Sequence, residues 1–232
     1  MGSVKHTGSN LYPETLSLTF GDVTMDLDVP SGVWNPTPHG THLANMIMEL
    51  NFEGDDVLEL GSGCGNHTIL LAHKNPKSLT ITEIREEILQ NTLHNLKKNG
   101  ISLPVKSMVA DWTRIDAGPF DLLITNPPFA KSGKRYYRYF IDTLINDAHQ
   151  LVRPGGRLIF VQSSMADINR SIGLMEDWGM AVKIVGTTTG PFREYYFEDT
   201  MFLENIEMFE GAYEKDGDTY IETLIVFEAT LA

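Results

Sequence analysis

Cysteine is nearly absent: of 232 residues, only Cys64 carries a thiol. One cysteine excludes an intrachain disulfide framework and cannot build a cysteine-based metal cluster, so no metal site is expected. Positive charge is also scarce. Eighteen Lys and Arg face 31 Asp and Glu, giving a net charge of −13. Proteins that hold nucleic acid usually neutralise phosphates with clustered bases. Here the one dense basic run is Lys131-Ser132-Gly133-Lys134-Arg135-Tyr136-Tyr137-Arg138. The charge balance therefore predicts a small-molecule or protein side-chain partner and argues against nucleic acid. Long apolar runs are missing too: none reaches the roughly 18–20 residues of a membrane span. The start, Met1-Gly2-Ser3-Val4-Lys5-His6, has no signal-peptide core. A cytoplasmic protein with no membrane partner is the expectation. No internal repeat or low-complexity tract is present.

What remains is ordered around Asp56-Val57-Leu58-Glu59-Leu60-Gly61-Ser62-Gly63-Cys64-Gly65-Asn66. A short apolar run reaches an acid and then a loop with glycine at every second position. This reads as a buried parallel strand, a tight turn and a helix whose first N–H groups face a ligand. Upstream, residues 1–15 look irregular. Leu16–Phe20 and Val23–Val29 alternate apolar and polar residues around Gly21-Asp22, which predicts a hairpin. Downstream, strands are predicted at Val57–Leu60, Leu79–Thr82, Val105–Ala110, Phe120–Thr125, Arg157–Gln162, Ala181–Gly186 and Ile221–Ala229. Helices are predicted at Thr41–Leu50, His67–His73, Arg85–Asn99, Tyr137–Leu151 and Ala166–Trp178.

Such alternation implies an α/β fold: a mostly parallel sheet wrapped by helices, with ligands at the C-terminal strand ends. Residues 1–32 are expected to form an N-terminal extension bearing the hairpin, and 33–232 a single ligand-binding domain. Within it, 190–218 is too long for a hairpin turn and is expected to be a substrate-side insertion.

Several positions carry chemistry. Glu83 ends the second predicted strand, 18 residues beyond Gly65, where an acid can accept two hydrogen bonds from a ribose diol. Asp111 follows the third strand and can accept an adenine amine, with Trp112 beside the ring. A dinucleotide loop would carry its third glycine at position 66, which is Asn here, so the NAD reading weakens. After the fourth strand comes Asn126-Pro127-Pro128-Phe129. Two prolines hold that turn rigid at the ligand edge. The Asn126 side-chain oxygen and the Pro127 carbonyl can grip both hydrogens of a planar NH2 group, and Phe129 can stack on its plane.

The chain resembles the class I S-adenosylmethionine (SAM)-dependent methyltransferases over roughly Trp34 to Ala229. Glu59-Leu60-Gly61-Ser62-Gly63-Cys64-Gly65 is similar to that family's cofactor loop. Asn126-Pro127-Pro128-Phe129 resembles the signature of members that methylate glutamine or adenine amino groups. Val33-Trp34-Asn35-Pro36-Thr37-Pro38-His39-Gly40-Thr41 resembles the loop before the cofactor strand in the glutamine-methylating and "methyltransferase small" groups. The resemblance implies a Rossmann-like seven-stranded sheet with an antiparallel last strand. It also implies SAM as cofactor, held by Glu59, Gly61, Gly63, Gly65, Asn66, Glu83, Asp111, Trp112 and Asn126. Asn126, Pro127 and Phe129 would then serve the chemistry. Trp34, Thr37 and His39 of the preceding loop, with Arg193, Tyr195 and Tyr196 of the 190–218 segment, which matches no part of the family, are the candidate substrate contacts. Release-factor glutamine methyltransferases carry a helical N-terminal domain; the predicted hairpin stands in its place here.

Three uses of SAM are compatible with these residues. One is N-methyl transfer to a planar amine or amide of a protein side chain or small molecule. Another is closure of the methionine moiety into azetidine-2-carboxylate, releasing methylthioadenosine, as in natural-product cyclases that resemble this fold. Phe192, Tyr195, Tyr196 and Phe197 would then box a sulfonium. The last is a SAM-binding scaffold without chemistry. His39 and His42 are expected to be structural or surface residues. Arg193 is expected to pair with a carboxylate, either a ligand's or that of Glu194 or Glu198.

Overall fold

A computed structural model describes residues 13–111, 115–129 and 137–232. Trp112, the basic residues 131–136 and the start of the chain lie outside the described residues. Two antiparallel strands come first, β1 (Glu14–Phe20) and β2 (Val23–Val29), turning at Gly21-Asp22. Thr15, expected to be irregular, is already paired with Asp28. Then follow α1 (Pro38–Glu49), β3 (Asp56–Leu60), α2 (Asn66–His73), β4 (Ser78–Glu83), α3 (Glu86–Lys98), β5 (Val105–Val109) and β6 (Phe120–Thr125). The chain continues through α4 (Tyr139–Leu151), β7 (Val152–Ser163), α5 (Ile168–Asp177), β8 (Met180–Pro191), α6 (Thr200–Ile206), β9 (Glu214–Asp216) and β10 (Thr219–Leu231).

Seven strands form one sheet in the order β5-β4-β3-β6-β7-β10-β8, and β9 adds a short eighth beside β10. Pairing from β5 to β7 is parallel; β10 runs antiparallel to both β7 and β8. The connections diverge to either side of β3, whose neighbours are β4 and β6. That divergence opens a crevice at its C-terminal end, where such sheets bind ligands.

The two faces of β3 belong to different cores. Val57 packs among Leu43, Ile47, Ile69, Leu70 and Leu89 of α1, α2 and α3. Leu58 and Leu60 pack with Ile141, Ile145 and Phe160 under α4. The hairpin buries Val23, Met25, Leu27 and Val29 in the first of these cores, because alternate β2 residues share one face. A third cluster belongs to the segment between β8 and β10, where Phe192, Tyr196, Phe202 and Ile206 pack on Met165.

Helix ends follow local chemistry. Thr37 caps α1, accepting from the Gly40 amide at 3.2 Å, and Pro38 occupies the first turn, so this helix starts three residues before the expected Thr41. In α3 the first turn holds Glu86 and Glu87 and the last holds Lys97 and Lys98, matching the helix dipole. The same helix carries asparagine every fourth residue on one face. Asn91 and Asn95 donate to the Asp28 carbonyl, each at 2.9 Å, and Asn95 accepts from the Asp28 amide at 3.0 Å. Asn99 accepts from the Asp26 amide at 2.8 Å and donates to its carbonyl at 2.9 Å. Three side chains thereby do for the outer edge of β2 what a neighbouring strand would do.

Asn95 also donates to the Cys64 carbonyl at 2.9 Å and has no exposed surface. Replacing its amide by a carboxylate of the same shape removes that donor and turns an acceptor toward the two carbonyls. Asn95→Asp is therefore expected to lower stability by roughly 2–4 kcal/mol in urea unfolding. A midpoint within about 0.5 kcal/mol of wild type would contradict the bridging role.

Candidate active site

The glycine loop leaves β3 and folds back on β4. Gly61 and Ser62 both donate their amides to the Thr82 carbonyl at 3.0 Å, and the Gly65 amide reaches the Ser62 carbonyl at 2.9 Å. Gly61, Gly63 and Gly65 sit at φ of +72°, +57° and +87°, a region that side-chain-bearing residues rarely adopt. A Cβ at Gly61 or Gly63 would meet nothing within 4 Å; these two glycines keep a ledge of the cavity bare. Gly65 differs, because its Cβ would meet Thr92 at 3.1 Å. It is the packing point of the loop on α3. Thr92 has one hydroxyl proton, given to the Gly63 carbonyl at 2.8 Å, so the Ser62 hydroxyl 3.0 Å away is the donor to Thr92.

A cavity of about 580 Å³ lies over this ledge, within the size range of small-molecule and cofactor sites. Glu83 projects into it from the end of β4. One carboxylate oxygen accepts from the Ile84 amide at 2.8 Å and the other from the Gly63 amide at 3.2 Å, leaving each oxygen a free lone pair. Asp111 lines the same wall. Glu59 does not line it. Its side chain turns beneath the loop onto the α2 side, where it accepts from the Thr68 hydroxyl at 2.5 Å. Burial pushes the Glu59 carboxyl up to about 8, against the pull of Thr68 and with added repulsion from Glu83.

Across the cavity, β6 ends in Asn126-Pro127-Pro128-Phe129, all four lining the wall. Thr125 fixes this end to β3 by donating to the Leu60 carbonyl at 2.9 Å. Gly40 approaches closely from α1: a Cβ there would stand 3.4 Å from the Asn126 amide nitrogen. His67 holds Gly40, its Nε2 lying 2.8 Å from the Gly40 carbonyl. A carbonyl only accepts, so the His67 proton is on Nε2. Burial keeps that ring neutral, and its 4.0 Å approach to Glu59 is not an ion pair.

The third wall comes from the segment after β8. Tyr195 lines the cavity edge-on to Trp34, with ring centroids 6.5 Å apart, and Arg193 lines it beside them. The Arg193 guanidinium lies 5.2 Å from the Tyr195 ring centre and 5.1 Å from that of Tyr196, and donates to His39 Nδ1 at 2.6 Å. Phe129 meets this segment through Phe202, at 5.7 Å.

The cavity thus gathers Trp34, Thr37, His39, Gly61, Gly63, Asn66, Glu83, Asp111, Asn126, Pro127, Phe129, Arg193 and Tyr195 of the expected positions. Glu59, Gly65 and Tyr196 stand behind it instead. The aromatic box is corrected in part: Phe192 packs with Tyr196, Phe197, Tyr213 and Tyr220, and the cation between Tyr195 and Tyr196 is Arg193 itself. Arg193 makes its hydrogen bond to His39 rather than to Glu194. His39 and His42, allowed to be surface residues, are both buried. Arg138 closes the basic run but is consumed internally, by Asp142 at 2.6 Å, the Asp167 carbonyl at 2.9 Å and Ser171 at 3.0 Å. Reading the sequence missed Gly40, Thr125 and His67, because their roles are contacts with residues 27 to 86 positions away and no local pattern marks them.

Comparison with known proteins adds three kinds of finding. The family model described as Methyltransferase small domain matches residues 34–190. A protein of Methanocaldococcus jannaschii, provisionally named a protein N5-glutamine methyltransferase, is 24% identical over 177 residues, covering 70% of this chain and 88% of that one. The ribosomal RNA small subunit methyltransferase C of Mannheimia succiniciproducens is 34% identical over 126 residues, 54% of this chain but only 37% of that one. Among solved structures, the T. thermophilus 16S rRNA N2 G1207 methyltransferase, in complex with AdoMet and guanosine, shares the fold at a TM-score of 0.58. It is 19% identical and covers 95% of this chain and 51% of that one. These relatives correct the argument from charge: proteins of this kind act on ribosomal RNA, so the acidic balance does not exclude nucleic acid. The chain spans about a third of the ribosomal RNA relative and about half of the solved structure. No helix among the described residues is long and apolar enough to cross a membrane.

Glu59 gives the site a pH signature. Its folded form holds a proton up to about pH 8, whereas the unfolded chain releases it near 4.5. Its contribution is therefore complete below pH 4.5 and is lost as pH rises through 8, at up to roughly 1.4 kcal/mol per pH unit. Glu59→Gln removes this term. The stability of E59Q relative to wild type, from urea midpoints at pH 5 to 9, is expected to rise with pH; a flat difference would contradict it.

Proposed function

Because the chain belongs to the methyltransferase small domain family, we propose that it carries a methyl group from SAM to a planar nitrogen, an amide or an exocyclic amine, presented at Asn126. It is a class I SAM-dependent methyltransferase. One observation supports the finer reading most directly: the Asn126–Phe129 turn lines the same cavity as the bare glycine ledge and Glu83.

The residues suit the cofactor. The ledge at Gly61 and Gly63 lets a ligand lie against backbone. Glu83 keeps two lone pairs for ribose hydroxyls, and the Asn66 side-chain nitrogen is buried without a partner. Asp111, in the cavity wall, would accept the adenine amine. SAM supplies an electrophilic methyl group on a sulfonium.

The acceptors named for the relatives, a glutamine amide and guanine N2, have one difficulty in common. Their nitrogen lone pair is delocalised into a carbonyl or ring. Asn126 and the Pro127 carbonyl accept the two N–H hydrogens, turn the lone pair out of conjugation and stabilise positive charge as it grows on nitrogen. No strong base is required, since the nitrogen becomes acidic as its new bond forms and the proton passes to water. Phe129 covers the acceptor plane, and its contact with Phe202 fixes the ring.

A second reading draws on Trp34, Arg193 and Tyr195, which line the cavity opposite the glycine ledge with the chain's own residues. A cyclase acting on the methionine moiety alone needs no entry for a second substrate.

Product analysis separates the two. Methyl transfer is expected to yield adenosylhomocysteine only when a glutamine peptide or a guanine-bearing RNA is supplied. Asn126→Ala should slow that reaction by roughly 10²–10³-fold. Methylthioadenosine released from SAM alone would sink methyl transfer and support cyclisation.

A further inference from the structure

A second cavity, of about 560 Å³, adjoins the first at Arg193, the one described residue that lines both. β10 contributes Glu222 and Leu224 to it, two positions apart and so on one face of the strand. α1 contributes His42, and Phe192 adds another apolar side chain. The reaction at Asn126 makes no use of this space.

Three polar side-chain atoms of its lining residues are buried without a hydrogen-bond partner: Glu222 Oε2, His42 Nε2 and Arg193 Nε. Glu222 is 2% exposed and His42 7%. Charge is not what they lack. Arg193 donates to His39 Nδ1 at 2.6 Å, and His39 Nε2 lies 3.8 Å from Glu222 Oε2. Guanidinium, neutral imidazole and carboxyl thus form one row. Burial raises Glu222 above the usual carboxylate range, while Ser163, Arg193 and Tyr196 pull it back. What the row leaves open is hydrogen-bonding capacity. Burial keeps His42 neutral against the pull of the Gly186 carbonyl. A carbonyl only accepts, so the His42 proton faces Gly186 from Nδ1 and the unpartnered Nε2 is a lone pair. A carboxylate oxygen also accepts, whereas the Arg193 N–H donates. The cavity therefore presents two acceptors and one donor, buried groups of a kind that folded proteins normally satisfy.

We propose that this second cavity binds a small molecule through a primary carboxamide, whose two N–H hydrogens go to Glu222 and His42 and whose oxygen accepts from Arg193 Nε. Other groups match less well. An ammonium has donors only, so it leaves the Arg193 N–H unmet and sets a cation beside a guanidinium. A carboxylate has acceptors only and meets Glu222 with repulsion. The carboxamide is neutral, as suits a row that already holds both signs, and carries two donors and an acceptor in one plane. Leu224 and Phe192 offer surface to an apolar frame, so the class that fits is an amide on a flat apolar body.

Two-dimensional NMR titration of the full chain with benzamide, benzoate and benzylamine tests this, since the probes share a ring and differ in the polar group. Benzamide is expected to bind at least about tenfold more tightly than the other two. It should shift the amides of Thr188 and Thr189, which line this cavity, and leave those of Gly61 and Gly63 in the first unmoved. Glu222→Leu and His42→Phe should each weaken benzamide by about tenfold or more, with the variants' own spectra showing that they are folded. Unchanged affinity in a folded variant overturns the assignment of that residue's contact and the carboxamide match with it. Benzoate or benzylamine binding as tightly as benzamide does the same. Shifts confined to the glycine loop, or none with any probe, overturn the site, and these wild-type outcomes stand even should a variant fail to fold. None of the readouts involves SAM, so failure here leaves the methyltransferase reading intact.

Discussion

Two polar side chains with no exposed surface, Thr92 and Asn95, hold the molecule's most exacting loop in place. Both project from the inner face of α3, where apolar residues would be usual. Thr92 takes the Gly63 carbonyl and Asn95 the neighbouring Cys64 carbonyl. A loop with three residues at positive φ directs carbonyls inward, and each one left unpaired would cost about 1–3 kcal/mol. The helix provides those partners one turn apart, and Asn95 then reaches on to the hairpin. The cofactor loop, the second strand of the hairpin and α3 therefore hold one another in register. Disturbing any of them moves the ledge on which the nucleoside would lie.

The opposite side of the cavity is built on a different principle. Its wall comes from the chain after β8 and is held by ring packing on Phe202, Tyr196 and Phe192 rather than by a backbone ladder. Several groups around the cavity are held uncharged: burial keeps His39, His42 and His67 neutral and keeps a proton on Glu59. The cavity wall itself carries two acids, Glu83 and Asp111, and two guanidinium groups, Arg85 and Arg193. The bare glycine ledge and the aromatic wall thus face the same cavity but are held by different means.

Much of this was readable in the sequence, for reasons that differ by element. β2 and β6 have the expected limits, Val23–Val29 and Phe120–Thr125, since each runs from a turn residue into an unbroken periodic pattern. β7 was expected from Arg157, because Arg153-Pro154-Gly155-Gly156 has the composition of a turn. Instead the strand begins at Val152, and those residues bulge out of it between the Phe120 and Leu122 pairings. β8 was expected to stop at Gly186 but runs on to Pro191, since Thr187, Thr188 and Thr189 find partners on β10. The site divides in the same way. Glycine, Glu83 and Asn126 announce themselves by motif, while the meeting of His39 with Arg193 spans 154 positions and leaves no local trace.

The solitary cysteine acquires a use from where it lies. Cys64 stands in the middle of the cofactor loop, 3% exposed, its thiol pushed up to about 11 chiefly by burial. Alkylating reagents attack thiolate, so the closed loop is chemically silent. Labelling can proceed only through states in which the loop has lifted off α3. Because no second thiol exists to blur the signal, the rate of alkylation is a clock for that opening, carried by the chain without any engineered probe.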